Sequence, residues 1–220
     1  MTSLPPQCGG IPIENWDWGD VDDEETAAGV TWGEYRVVGS YDGSTFVVTK
    51  VESPHSGSAE DDPIDTPCPE PAGGWDSPDP SKESMSDFQT TSRAAERESD
   101  FSGIWIDYIG EPEEGTDVAP FIANIAFTGD IARHETEARL TWGGPLCMIE
   151  LSRTHAELRR IQDEMDEFEG IEMLWSDVDV TRGIVEVGVI VATHELRDEL
   201  ADRYGAGTVV LYPALIPVEE

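Results

Sequence analysis

The clearest hydrophobic pattern in the chain is a helical period between residues 154 and 168. Its apolar positions are spaced three, four and three residues apart, which places them on one face of an α-helix. These positions are Leu158, Ile161, Met165 and Phe168. Thr154 followed three residues later by Glu157 is a capping-box sequence, which marks a helix start. The pattern predicts an amphipathic helix over 154–168.

A hairpin and a second helix are predicted after it. Residues 183–191 are rich in β-branched side chains, as is typical of a strand inside a sheet, and a turn over 179–183 joins them to a strand over 173–180. In the segment 193–204 the apolar residues Leu196, Leu200 and Tyr204 keep a spacing of four. Gly205 supplies a C-terminal stop for this helix, and a last strand is predicted over 208–212.

The same order of elements occurs earlier in the chain. We predict a helix over 86–98, strands over 102–107 and 121–127, a helix over 130–142 and a strand over 145–150. The chain is therefore predicted to contain two copies of a helix-strand-strand-helix-strand unit, a first lobe at 84–152 and a second at 153–220. Two copies fall short of the three or more that a solenoid needs. The predicted fold class is α+β, with two tandem αββαβ lobes that each hold a three-stranded sheet.

The residues before the lobes differ in composition. Two β-like runs flank Asp42 and Gly43, a strong hairpin signal, so residues 1–52 are predicted to form a small antiparallel β unit. Three tryptophans lie in this region, Trp16, Trp18 and Trp32, and we expect at least two of them to be core residues. Residues 53–83 are crowded with Pro, Gly, Ser and Asp and predict a linker.

The charge balance restricts the partners. The 220 residues include 13 basic and 47 acidic residues, which gives a formal net charge of −34. Such a surface repels nucleic acid phosphates and anionic lipids, so neither is expected as a partner. A basic protein or a cation would suit it. No apolar run approaches the roughly 20 residues of a membrane span, so no membrane insertion is expected.

Three cysteines bear on the compartment. Cys8 and Cys68 lie at opposite ends of the amino-terminal region, where a disulfide between them would close a loop and imply an oxidising setting. Cys147, inside an apolar run, is expected to be a small core residue. Residues 1–7 lack the pattern of a signal peptide, so the sequence as given predicts a cytoplasmic protein; an exported or envelope protein is the alternative.

Candidate chemistry is sparse. No nucleophile motif, nucleotide loop or transition-metal spacing occurs, so no catalytic or cofactor-binding residue is predicted, and the histidines are expected to be exposed. Hard oxygen ligands alternate at Asp20, Asp22 and Glu24, which makes a calcium site there a hypothesis. The tryptophans of the lobes, Trp105, Trp142 and Trp175, are expected to pack between the two sheets.

Two resemblances add expectations. The sequence of residues 177–187, with the helix and strand after it, resembles the small α+β lobes in prodomains of secreted bacterial serine proteases of the alpha-lytic type. This resemblance covers roughly residues 84–214 and implies a folding helper or an inhibitor-like binder. Separately, segments such as 6–10, 67–71 and 142–147 look like those of a family of actinobacterial proteins, often exported or lipid-anchored. That likeness implies an envelope or extracellular setting and no particular activity.

The function predicted from the sequence is non-enzymatic. We expect a protein-interaction module whose sheets or acidic face engage another protein, with the edge strand at 208–212 adding to a partner's strand. Two other classes stay open: a hydrolase that uses acidic residues, and a calcium-dependent surface protein. Two carboxylates gathered with a His in a deep pocket would favour the hydrolase.

Overall fold

The computed structural model describes residues 10–52, 65–111 and 119–218. The chain forms two compact units, 1–62 and 63–220. Within residues 10–52, the described part of the first unit, there are five short strands: β1 (Ile13–Glu14), β2 (Glu25–Ala27), β3 (Val30–Trp32), β4 (Arg36–Tyr41) and β5 (Phe46–Glu52). Strands β1, β5 and β4 form one sheet in that order, and β2 pairs with β3 in a separate antiparallel ribbon. The predicted antiparallel hairpin is present as β4 and β5, but β1 pairs with β5 in parallel, so the sheet is mixed rather than purely antiparallel.

The turn between β4 and β5 is built as its sequence predicts. The Asp42 carboxylate accepts hydrogen bonds from the backbone N–H groups of Ser44, at 2.8 Å, and Thr45, at 2.9 Å. Both hydrogen bonds hold the pKa of Asp42 below its usual value, and the bond from Thr45 makes the larger contribution to this shift. Gly43 has a φ of +96°, a region that glycine enters without steric cost, so the Asp-Gly pair fixes the hairpin.

The second unit contains both predicted lobes. The first lobe consists of α1 (Met85–Ala95), β6 (Phe101–Tyr108), β7 (Phe121–Phe127), α2 (Ile131–Ala138) and β8 (Leu146–Glu150). The second consists of α3 (His155–Asp166), β9 (Met173–Asp179), β10 (Ile184–Val191), α4 (His194–Tyr204) and β11 (Val209–Leu215). The α+β class and its repeated units are confirmed.

Both sheets have the same topology and the same irregularity. The middle strand pairs antiparallel with the strand before it and parallel with the strand after the crossover helix. Each antiparallel pair contains a bulge at which one residue, Ser102 or Leu174, has no partner. The bulge aligns the lobes residue by residue, so that the pair Gly103 and Ala126 corresponds to the pair Trp175 and Gly188.

Helix ends and core positions follow the sequence signals. The capping box of Thr154 and Glu157 is formed at the start of α3, and Ser84 forms the same device with Asp87 at the start of α1. All four predicted apolar positions of the helical period are buried in the core of the second lobe. That core is closed by the valines of β10 that face the helices, Val185, Val187 and Val189.

The predicted linker differs from the structure over its described part. Residues 65–83 are fastened to the first lobe. The Thr66 N–H donates to the Asp107 carboxylate at 2.9 Å, and the Asp79 N–H donates to the Gly143 carbonyl at 3.1 Å. Breakers of helix and strand predict irregular backbone correctly, but irregular backbone can still pack when its polar groups find partners.

The predicted cysteine pairing is wrong. Cys68 is bonded to Cys147, with their Cα atoms 5.8 Å apart, whereas Cys8 lies outside the described residues. Cys147 is buried on β8, on the same sheet face to which Thr66 is hydrogen-bonded. Because Cys68 follows Thr66 by two residues, it lies next to Cys147 on that face. The disulfide therefore fastens residues 65–83 to the sheet, and Cys147 is more than a core hydrophobe.

Removing this disulfide should lower stability substantially. Because the bond joins residues 79 apart in sequence, its loss frees a long loop in the unfolded chain, and we expect the paired substitution Cys68→Ser with Cys147→Ser to lower the free energy of unfolding by about 2–4 kcal/mol. Denaturant unfolding of the oxidised protein measures the change. Cys8→Ser is the control and should leave stability unaltered. Non-reducing peptide mapping that joins Cys8 to Cys68 would contradict this assignment.

Candidate functional site

The two lobes differ most on the sheet face that points away from their helices, here called the outer face. In the first lobe this face carries alternate residues of the three strands, opposite to those in the helix-side core. It consists of Gly103, Trp105, Asp107, Ile122, Asn124, Ala126, Cys147 and Ile149. The middle-strand residues Ile122, Asn124 and Ala126 are completely buried, so the first outer face is covered.

Two segments cover it. The Thr66 hydroxyl donates to the Asn124 side-chain oxygen at 2.6 Å, and the neighbouring disulfide fastens Cys68 beside it. At the other end, Gly103 lies against Val180 of the second lobe so closely that a Cβ at position 103 would overlap the valine side chain. The small pair of Gly103 and Ala126 thus provides the space in which the lobes contact each other.

In the second lobe Trp175 stands at the position of Gly103, and Tyr212 stands at the position of Ile149. Trp175 and Tyr212 flank Gly188 on the outer face, with 46% and 41% of their surfaces exposed. Their ring centroids are 5.7 Å apart and the ring planes are inclined by 30°. Because Gly188 has no side chain, the Trp175 indole lies directly over its backbone. We call Trp175, Gly188 and Tyr212 the aromatic platform.

Acidic groups border the platform. Glu186 precedes Gly188 on the same face and accepts a hydrogen bond from the Tyr212 hydroxyl at 2.7 Å. Arg182 forms an ion pair with Glu186 at 3.1 Å. Asp177, which is paired with Glu186 across the two strands, is exposed. The bond to Glu186 fixes the tyrosine ring, so the platform is held in place before any ligand arrives.

The predicted edge strand lies beside this platform. Among the described residues β11 pairs only with β10, so its outer edge is open. The Val185 N–H donates to the Thr208 carbonyl, and by the alternation of a parallel ladder the backbone groups of Val209, Leu211 and Pro213 point outward. Pro213 has no N–H, which is how proline limits pairing along an edge. The edge available to a partner strand is short.

A different cluster surrounds His134 in the first lobe. Against the expectation of an exposed His, this side chain is 1% exposed, and its ring stacks on Phe127 with centroids 3.5 Å apart. Its Nε2 lies 2.8 Å from the Asp100 carboxylate. Arg133 bridges Glu98 and Glu137 beside it. The hydrogen bond from His134 holds the pKa of Asp100 below its ordinary value.

The calcium hypothesis gains no support from the geometry. Within the three described ranges, the one group of three potential metal ligands whose atoms converge is Glu98, His134 and Glu137. Asp20, Asp22 and Glu24 are exposed and do not form such a group. Acids of this region instead surround Tyr35, whose hydroxyl donates to the Asp22 carbonyl at 2.9 Å. Desolvation, and then the carboxylates of Glu24, Asp23 and Asp22, raise the pKa of Tyr35.

The tryptophans fall into three environments. Trp142 is completely buried against Phe88 and Phe121 on the helix side of the first sheet, so it does not pack between sheets as expected. Trp16 and Trp18 contact each other and Tyr35, and Trp18 stays 38% exposed. Trp175 is the clearest departure, because a residue expected between the sheets lies on the surface.

Comparison with protein-family models and with curated proteins finds no match to this chain. Among the described residues, no helix is both long and apolar enough to cross a membrane.

Gly188→Ala should dismantle the platform without unfolding the lobe. The new methyl group would overlap the Trp175 indole, which is the movable end of a side chain, so the ring shifts while the backbone stays. We expect a changed chemical shift of the Trp175 indole N–H and a loss of unfolding free energy of about 1–3 kcal/mol, the usual cost of an added methyl group that must displace its neighbour. Gly129→Ala is the matched control, because a Cβ there meets no atom within 4 Å. An unshifted indole resonance in Gly188→Ala would contradict the packing.

Proposed function

We propose that the protein is a binding module whose second-lobe outer face takes up an extended, basic segment of another protein. The observation that carries this proposal is the difference between the duplicated lobes. One outer face is covered by residues of its own chain, and the equivalent face presents two exposed aromatic rings. An exposed aromatic pair with fixed geometry is the kind of surface on which protein partners are anchored.

The first lobe supplies the internal precedent for an extended occupant. There, residues 66–68 lie against the sheet, with a hydroxyl bonded to Asn124 and a backbone N–H bonded to Asp107. Extended chain suits such a face because it carries its own polar backbone groups to acceptors on the sheet while its side chains cover apolar atoms. A partner segment on the second lobe would use Asp177 and Glu186 as acceptors in the same way.

The charge of the chain selects a basic partner. With a formal net charge of −34, two copies of this protein repel one another, so a second copy is a poor occupant. The exposed Asp177 lies across from Glu186 beside the platform, and the cation here is Arg182, which lies 3.1 Å from Glu186 and 3.8 Å from Asp179. One arginine among three acids leaves a net negative border, which favours Lys or Arg on the partner and speeds its association.

The edge of β11 offers a second contact for the same partner. Its outward backbone groups at Val209 and Leu211 would accommodate a short strand, and Tyr212 is shared by edge and platform. A folding helper or an inhibitor-like binder is the form of this function that the prodomain resemblance predicts. Pairing with the β11 edge would then fix the position of the partner segment along the sheet, and contact with the aromatic platform would add binding affinity.

The hydrolase alternative has less in its favour. His134 does gather with carboxylates, but the neighbouring cavity has a volume of about 70 Å³, which is room for a few waters. Ligand pockets are usually several times larger. The arrangement lacks space for a substrate beside the imidazole, so protein binding through the second lobe remains the proposed function.

Selection of displayed peptides tests the proposal directly. We expect a random 12-residue library to yield ligands rich in Arg or Lys next to aromatic or aliphatic residues. The double variant Trp175→Ala with Tyr212→Ala should weaken their binding by about a hundredfold or more, since anchoring aromatics contribute 2 kcal/mol or more each. Affinity should also fall with added salt because the partner is basic.

Leu140→Ala is the matched control, because it removes an exposed apolar side chain from the first lobe. It should leave the selected peptides bound as tightly as the natural sequence. Peptides that bind the double variant undiminished, or a selection dominated by acidic sequences, would overturn the proposal.

A further inference from the structure

The geometry around His134 points to a metal site that the sequence patterns do not indicate: we propose that Glu98, His134 and Glu137 bind one divalent transition ion of the zinc class. These residues come from two elements of the first lobe. Glu98 follows the end of α1, and His134 and Glu137 lie three residues apart on α2, on the same side of the helix. One ligand atom from each lies within 4.8 Å of the others.

The histidine is oriented as a metal ligand usually is. Its Nε2 is 2.8 Å from Asp100, an acceptor-only carboxylate, so Nε2 carries the proton and donates it. Nδ1 then holds the free lone pair. A carboxylate behind the imidazole is the arrangement that fixes the tautomer and ring direction of metal-bound histidines. The Phe127 ring, inclined by only 4° to the imidazole, blocks ring rotation from one face.

The other ring nitrogen, Nδ1, lies on the side of Glu137, the ligand three residues further along α2. A Glu137 carboxylate oxygen is 3.7 Å from Nδ1, which is too far for a hydrogen bond. A metal ion would bind the Nδ1 lone pair and the Glu137 carboxylate together.

Arg133 shows that a cation is favoured at this position. Its Nη1 lies 3.2 Å from Glu98 and 3.0 Å from Glu137, between the two carboxylates that the metal would use. Its Nη2, however, lies 2.8 Å from Nε2 of His134. Because Nε2 donates to Asp100, this is a contact between two N–H donors, and it favours outward movement of the guanidinium.

Arg133 can keep a carboxylate partner when a metal ion displaces its guanidinium. It is partly exposed, and Asp130 already lies 3.3 Å from its Nε. An incoming dication can therefore displace it without leaving a buried charge unpaired. Arg133 acts as a competing cation that lowers metal affinity, and its removal should raise that affinity.

The ligand types select the class of ion. Ca²⁺ and Mg²⁺ prefer oxygen ligands throughout, whereas an imidazole nitrogen with two carboxylates suits zinc and its neighbours. Three protein ligands leave a fourth position for water, and the cavity of about 70 Å³ lined by Thr91, His134 and Glu137 has room for it. The site lies in the first lobe and does not depend on the proposed function of the second.

Titration of the full-length, oxidised protein with Zn²⁺ in a calorimeter tests the inference. We expect one saturable site per chain that is filled before weak binding to surface acids. Glu98→Gln and Glu137→Gln should each weaken that site at least about tenfold, and Asp100→Asn should weaken it by about 10–100-fold through the histidine. Arg133→Gln should strengthen it. These positions are on the surface or partly exposed, so the variants are expected to fold, which circular dichroism checks.

Two controls separate this site from general attraction to acidic residues. Glu135→Gln removes an exposed acid from the same helix, and His194→Gln removes an exposed histidine; neither should alter the first site. Because His134 is buried and its replacement would disturb the core, its role is read from the natural sequence, as a Zn²⁺-induced shift of its Nδ1 resonance. The absence of a saturable site, an unshifted Nδ1, or an equal loss in Glu135→Gln would overturn the proposal.

Discussion

Apart from Asn124, the middle strand of the first lobe is apolar on both faces, and most of the architecture of the second unit follows from that fact. All seven residues of β7 are buried. A three-stranded sheet with helices on one side can bury one face of such a strand, so the other face needs a second cover to keep its apolar atoms from water. Residues 65–83 and the second lobe provide that cover, and the disulfide between Cys68 and Cys147 keeps the segment in place.

The same constraint explains the difference between the two lobes. In β10 the three valines on the helix side are buried, whereas on the outer face Glu186 and Gly188 stand between Ile184 and Ile190, so the middle of that face does not need an apolar cover. The second sheet can therefore leave part of its outer face to solvent. Where the first lobe has the small pair that admits Val180, the second has Trp175 above Gly188. The two lobes are similar scaffolds, and the residues at one cross-strand pair decide whether the outer face is covered or open to solvent.

Sequence patterns identify what repeats locally and miss what depends on distant contacts. The helical period of α3, the valine-rich strand β10 and the hairpin at Asp42 are predictable because each reflects its own burial or turn. The pairing of Cys68 with Cys147 is not predictable in this way, because distance along the chain does not favour Cys147 over Cys8 as the partner of Cys68. His134 is predicted as exposed because acids flank it, but burial depends on Phe127, seven residues earlier on a strand that the helix crosses.

The apolar residues on both faces of β7 were nevertheless visible in the sequence, and they carried more information than the flanking breakers. A strand without a polar face implies two covers, and the first lobe offers helices for only one of them. The Pro-rich segment before α1 was the nearest chain available to supply the other. Its composition describes backbone that cannot join a helix or a sheet, whereas its docking depends on whether Thr66 and Cys68 find partners on the sheet, which they do. Irregular composition therefore predicts local conformation, and the unsatisfied surface of a neighbouring strand predicts where such a segment packs.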